Sequence, residues 1–388
     1  MTRRLLDSGY PDWKVTAVLG MVAWAVAGCG EAPLGDTLGE VPEIQLEEIV
    51  RFGSIDGPEE EQFTSIGSIE VDPETGEVFV LDPAALEIRV FARDGTFLRR
   101  FGGEGQGPGE FERRAVMTLA RDTVVAFDEA RRLHLFTPQG EHLQTRVADG
   151  VGTYVAAMDV FADSAGWILS MWEFPVGSRE QPIPERYYRL ILPEMSTEGP
   201  VFEFTTTGVS GMGVLDQRIW ATHTGAGLVA TTGADYELSY LRTGEDEARI
   251  LRFEHVPVPV TPTVLDDFRA AQLAECDASR DPARCRSVNQ EWIDERSALP
   301  VPDFRPVIGG LYGSSEGLVL VIRADLDPTP FDPSDSTRLD LVDLSGNRLG
   351  TLEMPARFYP RWFDAREIWG YFLDDFDVPH VVGYRMVR

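Results

Sequence analysis

The groups in this 388-residue chain that could do chemistry are three thiols, five imidazoles and a row of strand-end carboxylates. Cys276 and Cys285 bracket the short segment DASRDP (277–282). In an exported protein such a pair is most simply a disulfide, and closing so short a loop would contribute about 2–3 kcal/mol. A metal there would need further ligands, and residues 261–300 contain no histidine. Pairing those two leaves Cys29 over, an odd thiol with a separate use. His134, His142, His223, His255 and His380 form no H-x-H or H-E-x-x-H spacing, so no local zinc signal exists. Ligands could still assemble from distant segments. His223, in an expected innermost strand, is then the candidate metal contributor, and a hydrogen-bonded core histidine is the alternative reading.

The carboxylates are more systematic. Asp82, Asp128, Glu173, Thr232, Arg323 and Asp374 occupy equivalent places after a recurring strand, with Asp325 and Asp375 beside them. If those turns share one face of a ring, they form a channel-mouth rim suited to Ca²⁺ or a cationic ligand. The alternative is that each Asp accepts backbone N–H groups of its own turn. Trp172 and the segment RFYPRWF (357–363) fall at loop or rim positions, which would leave Arg357 and Arg361 as exposed guanidiniums on a binding surface. Trp220, Trp292, Trp362, Trp369 and Tyr371 are otherwise expected as wedges between sheets. No nucleophile elbow is present: GVSGMG (208–213) lacks the strand-to-helix context that such a serine needs.

Positioning these groups falls to a repeated four-strand unit. Residues 66–101 alternate apolar and polar side chains, turn at DPETG, and continue through EVFVLD, EIRVFA, the turn RDG and TFLRRF. Strand periodicity broken by Asp, Pro and Gly marks consecutive antiparallel hairpins. The third strand and its turn, EIRVFARDG (87–95), are echoed at 132–140, 186–194, 236–245, 337–346 and 380–388. The last unit lacks a fourth strand, while EIQLEEIVRFG (43–53) is a strand without a unit. Pairing the two closes a ring and removes exposed edges. The expected fold is therefore all-β: a six-bladed β-propeller of four-stranded antiparallel blades, closed by an N-terminal strand. Residues 261–300 break the pattern and read as a helical hairpin inserted between blades 4 and 5. Thr263 caps a helix through about Leu273 that presents Val264, Phe268 and Leu273, and a second helix presents Val288, Trp292 and Ile293.

The start of the chain has another character. Arg3, Arg4 and Lys14 precede the apolar run VTAVLGMVAWAVA (15–27), which describes an export signal too short to span a bilayer comfortably. Val26-Ala27-Gly28-Cys29 resembles the lipobox of bacterial lipoproteins. The resemblance implies cleavage after residue 28, acylation of Cys29, a tether over 29–42 and a propeller over 43–388. The loop FGGEGQGPGEF (101–111) resembles the inter-blade linker of NHL-type propellers and of six-bladed propeller lipoproteins, through Gly107-Pro108-Gly109-Glu110-Phe111. A phosphate-cradling loop would need a Gly-Lys-Ser/Thr ending or a following helix, and neither occurs.

A formal charge of −29 excludes nucleic acid, whose phosphates need clustered Lys and Arg. It equally disfavours electrostatic adhesion to anionic lipid, so the membrane contact expected is the lipid alone. With 43% hydrophobic and 10% aromatic residues the chain can bury a large core. The expected role is a monomeric, lipid-anchored binding or scaffolding module of the bacterial cell envelope, on a periplasmic or outer-membrane face. Its ligand would be a protein, peptide or glycan. A metal-dependent lyase or hydrolase at the channel mouth is the alternative, since related propellers include such enzymes. Ca²⁺ is the cofactor that an acidic rim would suit.

Overall fold

A computed structural model describes residues 41–388 apart from 121, 148–154, 164–165, 174–184, 192–195, 205–214, 216–219, 246, 278–280, 299–300 and 327–335; the strands within 155–204 are described as backbone. The expected export signal, Cys29 and most of the expected tether lie outside the described residues.

Strand β1 (Glu43–Phe52) comes first. One four-stranded antiparallel sheet follows from β2 (Ser68–Val71), β3 (Val78–Asp82), β4 (Glu87–Phe91) and β5 (Phe97–Gly102), and a second from β6 (Ala115–Ala120), β7 (Thr123–Asp128), β8 (Arg132–Phe136) and β9 (His142–Val147). The third comprises β10 (Val155–Asp163), β11 (Gly166–Glu173), β12 (Glu185–Ile191) and β13 (Ser196–Phe204). The fourth comprises β14 (Trp220–Thr224), β15 (Gly227–Thr231), β16 (Glu237–Arg242) and β17 (Arg249–Arg252). Then come β18 (Ile308–Gly313), β19 (Leu318–Arg323), β20 (Thr337–Asp343), β21 (Arg348–Met354), β22 (Phe358–Phe363), β23 (Glu367–Leu373) and β24 (Pro379–Val387). These seven and β1 form one eight-stranded sheet in the order β18-β19-β20-β21-β1-β24-β23-β22. The arrangement is propeller-like: β22 lies beside β2, β2 beside β6, β6 beside β10, β14 beside β18, and β18 beside β22.

Burial explains why the sequence of the second strands does not alternate. All five residues of β3 and of β15 are buried, and in β3 alternate side chains join the cores on its two faces. The outer strand β5 alternates half-buried and exposed side chains. Phe79, Leu81, Ile88 and Val90 of the first sheet form one core with Met117, Val124 and Phe136 of the second. Trp369 is fully buried among Ile69, Val78 and Val80, wedged between first and last sheets as an aromatic spacer.

The first and last strands pair as their sequences require. β1 runs antiparallel to β24 from Gln45 opposite Val387 to Phe52 opposite Val381, with a bulge near Ile49. An unanticipated contact joins β1 to β21 in parallel through Glu43–Thr351 and Ile44–Leu352, and this short bridge creates the eight-stranded sheet. Its cause is local. The Thr351 N–H donates to Pro42 O (2.9 Å), and Ile44 sinks into the core opposite Gly350, where a Cβ would stand 2.4 Å from the Ile44 Cδ1.

Helices α1 (Val264–Asp277) and α2 (Pro282–Ser297) lie between β17 and β18, and a disulfide joins Cys276 to Cys285. Asn289 Nδ2 donates to the Cys276 sulfur at 3.3 Å. Val264, Phe268 and Ile293 are buried together, with Leu273 packed against them. Val288 departs from the expected apolar face and is 65% exposed. Five residues separate it from Ile293, which turns the two side chains about 140° apart on a helix. The side chain of Trp292 lies outside the described residues.

Candidate functional site

The innermost strands enclose a cavity of about 880 Å³. Among the described residues its walls come from β2, β6, β14, β18 and β22, with Tyr371 and Leu373 of β23, Pro379 of β24 and the turn residues Pro83, Ala84 and Asp377. Ile66, Ile69, Val116, Leu311 and Trp362 supply apolar surface. The charged lining comprises Glu70, Arg114, Arg361 and Asp377, and Asp377 is ion-paired to Arg357.

A backbone irregularity sets the position of Arg361. Pro360 pairs with Gly370 and Trp362 with Trp369, so Arg361 is the extra residue of a β-bulge. Bulges re-aim a side chain that regular pleating would send elsewhere. Here the Arg361 Nε–H donates to Gly67 O on the neighbouring sheet (2.8 Å), Nη1 to Pro360 O (3.1 Å) and Nη2 to the Tyr371 hydroxyl (3.3 Å). The guanidinium lies 4.9 Å from the Tyr371 ring centroid, and Tyr371 stacks on Tyr359. Tyr312 borders the same space. Burial pushes its phenol above the ordinary value, against a smaller opposing pull from Arg361.

Two largely buried threonines line this cavity with no hydroxyl partner among the described residues. Thr118 on β6 and Thr222 on β14 are 7% and 6% exposed, and neither makes a hydrogen bond among the described residues. Buried hydroxyls are ordinarily satisfied by protein or water. Others nearby are already engaged: Ser68 Oγ accepts the Met117 N–H, and the Thr224 hydroxyl donates to Gly227 O. His223 is buried in the wall beside Thr222 and Thr224. Among the described residues no three His, Cys, Asp or Glu side chains converge as a metal site.

The strand-end carboxylates are placed differently from an open rim. Asp82 is fully buried and accepts the N–H groups of Thr64 (2.8 Å), Ala84 and Ala85 (3.0 Å each). Asp128 is also fully buried and accepts the Arg132 backbone N–H and Nε–H, both at 2.9 Å. Burial raises its pKa, but hydrogen bonds from His134, Arg132 and the Glu112 N–H outweigh that and leave it below the ordinary range. Arg323 is buried against two carboxylates, Asp325 and Asp340. These residues are turned into the protein because each ties a turn or sheet seam together. Thr232 is exposed, and the equivalent turn uses Thr231, whose Oγ accepts the Gly233 N–H. Asp374 accepts N–H groups from Phe376 and Val378 and lies 3.3 Å from His380. Asp375 is exposed, 3.9 Å from Arg357. The side chains of Trp172 and Glu173 lie outside the described residues.

The Gly-Pro-Gly-Glu-Phe linker is likewise structural. Glu110 accepts the Gly107 N–H (2.8 Å), and the fully buried Phe111 meets His134 edge-on at 5.1 Å. Glycine also allows β14 and β18 to approach closely at the cavity wall: a Cβ on Gly313 would stand 2.1 Å from the His223 carbonyl oxygen. Gly313→Val is therefore expected to cost about 1–3 kcal/mol by overpacking. Urea denaturation would measure it, and an unchanged midpoint would show that the two strands can part.

No protein-family model matches the chain, and no curated protein matches it. Solved structures do. A member of the DUF4221 family from Bacteroides vulgatus is 11% identical, with a TM-score of 0.53, over 90% of this chain and 99% of its own. A protein of Bacteroides fragilis described as exported is 13% identical, with a TM-score of 0.50, over 89% of this chain and 96% of its own. Virginiamycin B lyase from Staphylococcus aureus is looser, 11% identical with a TM-score of 0.41 over 89% and 100% of the two chains, and carries no functional argument. Identities this low show the fold alone, and that fold is a β-propeller-like succession of four-stranded antiparallel sheets.

Proposed function

We propose that this chain is a lipid-anchored envelope protein whose six-bladed propeller binds a glycan or peptide ligand in its central channel. In this reading the eight-stranded sheet is two blades, β18-β19-β20-β21 and β22-β23-β24-β1, bridged by the short parallel contact of β1 with β21. The cavity carries the binding assignment. Its size lies within the range of ligand sites, and it combines apolar surface, an oriented guanidinium and threonine hydroxyls that have no partner among the described residues. Asp82, Asp128 and Arg323 hold the scaffold around it.

The test is to screen the full chain, in detergent, against glycan and peptide arrays with and without a chelator. Retained binding that is insensitive to chelator, without turnover, is the expected result. Chelator-sensitive conversion of a bound ligand would replace the binding module with the metal-dependent lyase or hydrolase. The anchor is tested separately. Cys29→Ser is expected to move the protein from the membrane to the soluble fraction and abolish incorporation of labelled palmitate. Unchanged membrane retention with no label in the parent protein would remove the lipid from the reading. The export signal before Cys29 and the exported description of one structural neighbour support an extracytoplasmic location.

A further inference from the structure

We infer that the channel ligand is a sugar acid, with its carboxylate held by Arg361 and its ring hydroxyls by Thr118 and Thr222; the inference rests on the binding reading above. A guanidinium has five N–H donors. Three directions are used, toward Gly67 O, Pro360 O and the Tyr371 hydroxyl. The others have no acceptor among the described residues, although Arg361 stands exposed at the cavity wall. Its orientation is set before any ligand arrives, by those bonds and by the Tyr371 ring beneath it. A planar fork held this way matches a carboxylate, and pre-orientation reduces the entropy lost on binding.

A simple organic acid would leave the rest of the site unused. Thr118 and Thr222, each more than nine-tenths buried as a residue, line the cavity from two strands in different sheets. Each can donate one hydrogen bond and accept two, the complement of a hydroxylated ring. Trp362 and Tyr312 add flat surface for the apolar face of such a ring. Arg114, which also lines the cavity, makes no side-chain ion pair among the described residues and adds a second positive charge. The setting heightens the contrast, since the chain as a whole carries −29. Among the described residues the lining sets Arg114 and Arg361 against Glu70 and Asp377, and Asp377 is already ion-paired to Arg357, so the attraction for an anion is local to Arg361 while the acidic exterior keeps bulk polyanions away. The same −29 weighs against acidic polypeptides, which would present many carboxylates outside the channel.

The experiment is isothermal titration calorimetry of the full chain with trigalacturonate, with neutral galactotriose, and with triglutamate as the peptide carboxylate. Trigalacturonate is expected to bind at least about tenfold more tightly than galactotriose or triglutamate. Arg361→Gln should weaken it about 10- to 100-fold, the usual range for a charge-assisted hydrogen bond. Arg361→Lys should recover little, because an ammonium lacks the fork. Thr118→Val with Thr222→Val keeps every charge and removes only the hydroxyls, and should weaken binding about 2- to 10-fold or more. Equal binding of galactotriose, preference for triglutamate, or unaltered affinity in both sets of variants would overturn the sugar-acid assignment and leave the channel as a binding site. Heat from none of the three probes would overturn it together with the channel reading. If Arg361→Gln fails to fold, the Thr118/Thr222 variant and the three-probe comparison decide.

Discussion

Asp340→Ala is expected to lower the stability of the propeller-like domain by about 3–5 kcal/mol, the range for removing one partner from a buried ion pair. Asp340 is 1% exposed on β20. Its Oδ2 accepts the Tyr236 hydroxyl (2.6 Å) from β15–β16 territory of the preceding sheet and the Arg323 Nη1–H (2.9 Å) from β19, while Arg348 Nε lies 3.2 Å from Oδ1. Arg323 also grips Asp325 through Nε and Nη2, at 2.9 and 2.8 Å, and its guanidinium covers the Tyr236 ring at 4.6 Å. Burial opposes the charge on Arg323, but the two carboxylates outweigh it and hold the group more firmly protonated. Burial and the Asp340 charge push the Tyr236 phenol far above its ordinary value, so it remains a donor.

Alanine at 340 would leave the Tyr236 hydroxyl without its acceptor, Arg348 without its partner, and Arg323 with one carboxylate instead of two. Each loss costs more inside the seam than at the surface, because water cannot replace the missing partner. Asp340→Asn keeps an acceptor and should fall between parent and alanine variant. Urea unfolding followed by tryptophan fluorescence measures the difference. A loss below about 1 kcal/mol for Asp340→Ala would mean that the seam is wet or that its sheets adjust independently. A double-mutant cycle with Tyr236→Phe should show coupling, since both groups share one hydrogen bond across two sheets.

This seam also shows where the sequence was informative and where it was not. Strand-end positions 82, 128, 323 and 374 were visible as a repeat because each unit needs a turn at the same place. Their chemistry was not visible. Asp82 accepts backbone N–H groups of its own turn, whereas Arg323 inverts the charge and relies on Asp340, 17 residues later. A period read along the chain cannot distinguish a carboxylate facing water from one facing a neighbouring sheet. The cavity was hidden for a related reason. Second and third strands carry the strongest apolar pattern, so they served as the ruler, but the first strands line the channel. Thr118 and Thr222 look like ordinary strand threonines until β6 and β14 are brought around one axis. RFYPRWF did signal its position, and only a bulge decides which of its residues faces inward. In the helical hairpin, the cysteine pair was legible from its spacing together with the expected export, while Val288 was misplaced because two helix faces about 140° apart were read as one.

Removal of residues 43–52 is expected to abolish cooperative folding. Two of the side chains lost, Ile44 and Phe52, are 2% and 7% exposed. Ile44 packs with Leu339, Leu352 and Tyr384, and the Phe52 ring lies tilted against Phe91 of the first sheet, centroids 4.6 Å apart. Truncating buried residues of these types costs about 2–5 kcal/mol each, and a whole domain is stable by only about 5–15 kcal/mol. The deletion also uncovers the β24 edge from Val381 to Val387, a row of unpaired backbone donors and acceptors that invites association between chains. Loss of a sharp thermal transition, with concentration-dependent aggregation, is therefore the expected outcome. Phe52→Ala provides the graded case: it should fold and lose about 3–5 kcal/mol, because only the aromatic contact is removed. A synthetic peptide of residues 43–52 added in trans should suppress aggregation of the truncated protein by supplying the missing strand. A truncated chain that melts within a few degrees of the parent would show that the last sheet is stable without β1 and that the proposed ring is not held by its first strand. That result would also detach the channel from the closure argument, because β22 and β2, which share the wall at Arg361 and Gly67, would then be held side by side by their own packing.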